Sequence, residues 1–211
     1  MTTLPPTVRD VLVVDDFYSN AQAVRQLALR LEYFRADQSA SAACQTKQWF
    51  ISPRLVEKFS ELVGHEVIYD NYSGAAFGTF RLLREHDVGR MHVHADLHEW
   101  AGLVHLSLNE NCRGGTGLFR HKETGLTGPP TDPEAKALGF RSAAAFEEEV
   151  LLHDTKVPSQ WELTHFAAAK FNRLVLFRGS QFYHGYVNVF GKEREDARLT
   201  QNFFFNGPQI D

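Results

Sequence analysis

The sequence predicts a mainly β protein, a sandwich or barrel, with helices at its start and in one later stretch. Three observations predict it. Short apolar segments bounded by turn residues recur from about residue 66 onward, the pattern of consecutive strands. Helical spacing does not alternate with these segments, as it would in a parallel α/β sheet. The chain also holds 17 Phe, which implies an aromatic-rich core. Its 211 residues fit a single domain, 1–211.

In order, Val11-Leu12-Val13-Val14 reads as a short strand. Ser19-Asn20 offers a helix N-cap, after which Ala21, Val24, Leu27, Ala28 and Leu31 recur at helical spacing. Pro53–Val63 repeats that spacing through Leu55, Val56, Phe59 and Leu62. The expected strands are then Val67-Ile68-Tyr69, Phe77–Leu83, Arg90–His94, Leu103–Leu108 and Gly117–Arg120, with Ser73-Gly74 and Arg113-Gly114-Gly115 as turns. From 126 to 170 an insertion interrupts them, opening on Gly128-Pro129-Pro130 and carrying helical patches at Ala143–Leu152 and Trp161–Lys170. Strands resume at Leu174–Phe177, Phe182–Phe190 and Arg198–Phe205.

Composition narrows the function. Hydrophobic residues make up 43% and charged residues 23%, enough apolar mass for a core and too much for a disordered chain. A net charge of -4 leaves no basic excess to hold a phosphate backbone, so nucleic-acid binding is excluded as the main task. Cys44 and Cys112 cannot build a disulfide framework or a four-cysteine zinc site. The start, Met1-Thr2-Thr3-Leu4-Pro5-Pro6, lacks the basic and apolar regions of a signal peptide, and no stretch reaches a membrane span. A cytoplasmic protein with no membrane partner is the expectation.

The most informative segment is Met91-His92-Val93-His94-Ala95-Asp96-Leu97-His98-Glu99-Trp100. On a strand, alternate side chains share a face, so His92, His94 and Asp96 point one way. His94 and Asp96 can then meet one metal, with a third ligand from elsewhere. His184 is the candidate, on a later strand beside Gly185, which permits close approach. Two imidazoles and one carboxylate with open positions are the donor set of non-haem Fe(II) oxygenases. A rival arrangement takes His94 and His98 as an i,i+4 zinc pair on a helix, although no Glu follows His94 as a metalloprotease base would.

The order of the surrounding residues carries a resemblance. Ala101–Leu108 followed by Asn109-Glu110-Asn111-Cys112-Arg113-Gly114-Gly115-Thr116-Gly117-Leu118-Phe119 is similar to a run of strand, Leu-Asn, acidic turn, Gly-Gly and strand. That run belongs to the Fe(II)/2-oxoglutarate-dependent oxygenase superfamily, in its prolyl-hydroxylase-like branch. Asn172–Phe177 resembles the strand leading to the distal histidine, which His184 matches. Arg198, with Thr200, matches the arginine and hydroxyl pair that bind 2-oxoglutarate. The opening Val13-Val14-Asp15-Asp16-Phe17-Tyr18 is also similar to the entry of such enzymes. The resemblance spans about 11–205, the insertion excepted.

The resemblance implies a double-stranded β-helix (jelly-roll or cupin-like) core and an Fe(II) held by His94, Asp96 and His184. The co-substrates implied are O2 and 2-oxoglutarate, the latter with its far carboxylate on Arg198 and Thr200. A planar guanidinium suits that carboxylate because its fork meets it at two points and stays charged when buried. Halogenases of the family lack the carboxylate ligand, so Asp96 favours hydroxylation or desaturation, with release of succinate and CO2. The insertion is expected as an active-site lid, since insertions in the family often cover the mouth. A small amino-acid-like or natural-product substrate is the first expectation and a peptidyl residue the second, with a homodimer allowed. The competing classes are a zinc hydrolase and a non-catalytic metal-binding β-barrel module. Arg81 on its strand is a second candidate to face the pocket.

Overall fold

β1 (Val11–Val14) leads through a bend into α1 (Ala21–Arg30) in a computed structural model that describes residues 10–35, 43–70, 77–87 and 92–208. The Asn20 side chain accepts from the Ala23 N–H, 3.1 Å away, and so satisfies a donor that the first helical turn leaves free. Two short strands follow, β2 (Phe34–Arg35) and β3 (Cys44–Gln45), then α2 (Pro53–Val63). Ser52 caps α2, Pro53 opens it where no N–H is needed, and Gly64 closes it at a φ of 78°. The chain then runs through β4 (Thr79–Leu83), β5 (Trp100–His105) and β6 (Gly115–His121). Short helices α3 (Asp132–Ala137), α4 (Ala143–Phe146) and α5 (Leu152–Asp154) come next, and then β7 (Trp161–Ala168), β8 (Leu174–Phe177), β9 (His184–Val187) and β10 (Arg198–Phe205).

The strands form two antiparallel sheets. The larger has the order β1-β8-β5-β10-β4-β3-β2, and the smaller β7-β6-β9. Neighbours are mostly distant in sequence, as when β10 lies between β4 and β5. The fold is thus a jelly-roll core with flanking helices. β10 is buried over all eight residues because both of its faces are covered. Leu199, Phe203 and Phe205 turn to the layer beneath α1 and α2, while Phe204 turns to the space between the sheets. Phe59 of α2 anchors the first layer, with ring centroids 4.6 Å from Phe203, 5.3 Å from Phe77 and 5.5 Å from Phe17. Phe59→Ala should therefore cost about 3–5 kcal/mol, read as a lower urea midpoint at unchanged slope.

A third apolar layer lies on the outer face of the small sheet. Val93, Phe119, Trp161 and Tyr183 pack there against Ala135 of α3 and Phe146 of α4. A buried polar clamp joins the same elements. His121 Nε2 lies 2.9 Å from Asp154 Oδ2, and the Trp161 indole N–H donates to the Asp154 carbonyl. Residues 126–160 thus back the sheet that carries His184.

The strand expectations need some corrections. Trp161–Lys170, expected as a helical patch, is strand β7 over Trp161–Ala168, paired along β6. The open edge of β6 supplies hydrogen-bond partners that the local spacing does not reveal, and Trp161, Thr164 and Phe166 suit a strand. Val67–Tyr69 is reduced to one bridge, Ile68 with Asn206. The expected strand at 90–94 forms a bridge only at His94, with 90 and 91 outside the described residues. Phe182–Phe190 shortens to β9, ending where Asn188 takes a positive φ of 56°. The Ser73-Gly74 turn also lies outside the described residues. Arg113-Gly114-Gly115 does turn into β6, with Gly114 at a φ of 68° and its missing Cβ within 1.7 Å of the Val187 carbonyl, so no other residue fits. Among the described residues, no helix is long and apolar enough to cross a membrane.

Candidate active site

His94 and His184 face each other directly across the bridge that joins their segments. The His94 N–H donates to the His184 carbonyl at 3.0 Å, and the His184 N–H donates back at 2.7 Å. Residues so paired project to the same face of a sheet, and the two imidazole centroids are 4.5 Å apart. Two residues beyond His94, the Asp96 N–H donates to the Gly179 carbonyl at 2.9 Å, which holds the segment against the end of β8. Gly179 is required there, because a Cβ would stand 2.8 Å from Asp96 Oδ2.

One ligand atom from each of His94, Asp96 and His184 lies within 4.8 Å of the others. His94 Nε2 is 3.5 Å from Asp96 Oδ1, and His184 Nε2 is 3.2 Å from Oδ2. Adjacent donors about 2.1 Å from one ion stand about 3 Å apart, so this spacing fits a metal. Asp96 Oδ2 is buried and accepts no aligned hydrogen bond even though Nε2 is so near. His184 Nδ1 lies 2.9 Å from the Phe182 carbonyl, and donating there leaves Nε2 free as the ligand atom. Electrostatics bind the three together. Burial opposes charge on both Asp96 and His184, but the neighbouring imidazoles hold Asp96 below the usual carboxylate range. The carboxylate in turn raises His184.

The cluster opens into a cavity of about 110 Å³ between the two sheets. Arg198 and Arg81 line it, with Thr116, Tyr186, Asn202 and Phe204. Arg198 begins β10 just after a surface turn in which Asp196 accepts from the Lys192 and Glu193 N–H groups. The charged run 192–196 therefore ends where the strand enters the core, and Arg198 is 8% exposed. Among the described residues, no carboxylate lies within ion-pair distance of Arg198, and its Nε has no partner. Nearby, His105 at both ring nitrogens and Thr116 at its hydroxyl are also buried without one. Burial and the neighbouring Arg81 pull Arg198 down to about 10. Such a group fits an anion carrying its own acceptors.

Thr200 shares the face of Arg198, but its hydroxyl donates to Asn202 Oδ1 at 2.7 Å and it does not line the cavity. His92 lines it, and burial followed by the charge of His94 lowers it to about 4. His98 lies apart from the cluster, packed 6.0 Å from the Phe204 ring, and no helix joins it to His94. No residue of 126–170 lines the cavity. Sequence reading missed His105 and Thr116. Both lie in the run that carries the resemblance, but on strand faces that only the pairing of the sheets turns inward, so residue order gave neither a role.

The fold is shared with HygX from Streptomyces hygroscopicus, in a structure with nickel, 2-oxoglutarate and hygromycin B bound. That likeness has a TM-score of 0.51 at 12% identity and covers 95% of this chain and 84% of that one. A second HygX structure, with nickel and 2-oxoglutarate, gives 0.46 at 14% identity over the same shares of the two chains. IDO from Bacillus thuringiensis gives 0.44 at 10% identity, over 95% of this chain and 94% of that one. No curated protein matches the sequence. Residues 82–205, which include His94, Asp96, His184 and Arg198, match the model of a family of unknown function, DUF6445, and the chain belongs to that family.

Proposed function

We propose that this protein is an Fe(II)- and 2-oxoglutarate-dependent oxygenase acting on a small molecule. The observation that carries the reading is one cavity holding both a His-Asp-His donor set and a buried guanidinium without a carboxylate partner among the described residues. His94, Asp96 and His184 would hold the metal. Arg198 would hold the distal carboxylate of 2-oxoglutarate by its two-point fork. Thr200 assists at one remove, through Asn202. A neighbour of the same fold binds nickel and 2-oxoglutarate, which supports the assignment.

Bound there, Fe(II), 2-oxoglutarate and O2 supply oxidative decarboxylation to succinate and CO2, coupled to oxidation of a substrate C–H bond. The chain's own part is to position and to shield. Phe177 packs edge-on against the His184 ring at 4.7 Å and closes one side of the ligand set. The Phe182 carbonyl keeps the His184 ring in orientation. Because Asp96 fills its ligand position, oxygen insertion or desaturation is the expected outcome rather than chlorination. The modest cavity favours a small substrate over a peptidyl residue.

Anaerobic addition of Fe(II) and then 2-oxoglutarate should produce a weak visible charge-transfer band, and admission of O2 should yield succinate. Zinc retained on purification, with no band and no succinate, would instead indicate a hydrolase. With substrate and excess chloride, mass spectrometry should find a product heavier by an oxygen or lighter by two hydrogens, and no chlorinated one.

A further inference from the structure

Arg81 is a second guanidinium in the same cavity, and the oxygenase reading leaves it without a task. It projects from β4 opposite Thr200 of β10, so it stands diagonal to Arg198 on the neighbouring strand. Its guanidinium carbon lies 5.0 Å from the centroid of the Phe204 ring. Among the described residues, no carboxylate reaches Arg81 at ion-pair distance. Among the described residues, Asp96 is the only carboxylate lining the cavity, and it makes no ion pair with Arg81.

Counting charge shows what is missing. A divalent metal and Arg198 together carry three positive charges. Asp96 and the dianion 2-oxoglutarate carry three negative ones. That set is neutral without Arg81, which leaves one positive charge over on a half-buried side chain. A bound substrate that displaces water from such a guanidinium strengthens its attraction for an anion, so the site favours one further negative charge. A carboxylate supplies one such charge in a planar shape that the guanidinium fork matches, whereas a phosphate monoester brings nearly two.

We propose that Arg81 anchors a carboxylate of the primary substrate, which makes the substrate class a small monocarboxylic acid of net charge -1. The inference rests on the oxygenase reading and adds to it the feature by which the substrate is chosen.

The test starts from protein loaded anaerobically with Fe(II) and 2-oxoglutarate. It is titrated with short monocarboxylic acids of net charge -1, with the same compounds as primary amides, and with small phosphate monoesters. The visible band and calorimetry report binding, not turnover. At least one acid should shift the band saturably, and its amide should bind about tenfold or more weakly, the worth of a charge-assisted contact. Arg81→Gln should weaken the acid by the same factor and leave 2-oxoglutarate affinity close to wild type, which also shows that the variant folds. Arg81→Lys should recover part of the loss. The proposal is overturned if amides bind as well as acids, if only phosphate monoesters respond, or if no compound responds. It is equally overturned if Arg81→Gln weakens 2-oxoglutarate in place of the acid. A wild-type protein that gives no band before any addition removes the oxygenase reading, and this inference with it.

Discussion

Arg198→Ala should lower the affinity for 2-oxoglutarate by about two to three and a half decades while metal affinity stays near wild type. The magnitude follows from the surroundings of Arg198. It is buried at the start of β10 beside other polar atoms without partners. Deleting one member of a desolvated charge pair leaves the other uncompensated, at a cost of about 3–5 kcal/mol. At about 1.4 kcal/mol per decade, that is the stated range. Arg198→Lys should restore only part, because an ammonium is a point charge and cannot meet a carboxylate at two points. Paired titrations of each variant with Fe(II) and then with 2-oxoglutarate measure both affinities. Should Arg198→Ala bind 2-oxoglutarate as wild type does, Arg81 would be the residue that holds the co-substrate.

Removing the carboxylate ligand should have the opposite selectivity. Asp96→Ala should weaken metal binding by more than about a hundredfold, beyond the tenfold to hundredfold loss typical of an outer partner to a metal ligand. Asp96 is the one group that stands between both imidazoles, at 3.5 Å from His94 Nε2 and 3.2 Å from His184 Nε2. Its loss therefore removes a ligand and the charge that orders the other two. His184→Ala should behave similarly and should abolish the charge-transfer band, since the backbone bridge to His94 survives but its donor does not. Competition with a metal-sensitive dye gives the affinities. A His184→Ala protein that keeps the metal and the band unchanged would move the site away from the β9 edge.

The two tests separate because the candidate metal ligands and the two arginines line one cavity from different sides. The three candidate ligands come from the edge of the small sheet and the segment beside it. Arg198 and Arg81 come from adjacent strands within the large sheet. A jelly roll brings such sides together by stacking two sheets about 10 Å apart, with inward side chains meeting between them.

Much of this was legible in the residue order. Periodicity defined α2 at Pro53–Val63 and located the β8 and β10 strands, because local spacing and caps decide those elements. His94, Asp96, His184 and Arg198 were legible as a set because each sits at a distinct position in an ordered pattern. The fate of Trp161–Ala168 was not, since its pairing with the edge of β6 is a contact between distant segments that outweighs the helical reading. Nor was it legible that the helices between residues 126 and 160 pack behind the small sheet, because amphipathic spacing names a buried face but not what covers it. By itself the sequence determined the residue types of the candidate site, the mainly β class and the strands that carry His184 and Arg198. Only the tertiary structure decided that His94 faces His184, that Arg81 shares a cavity with Arg198, and that Thr200 turns to Asn202. Those facts follow from sheet register, which is set by pairing between strands far apart in sequence.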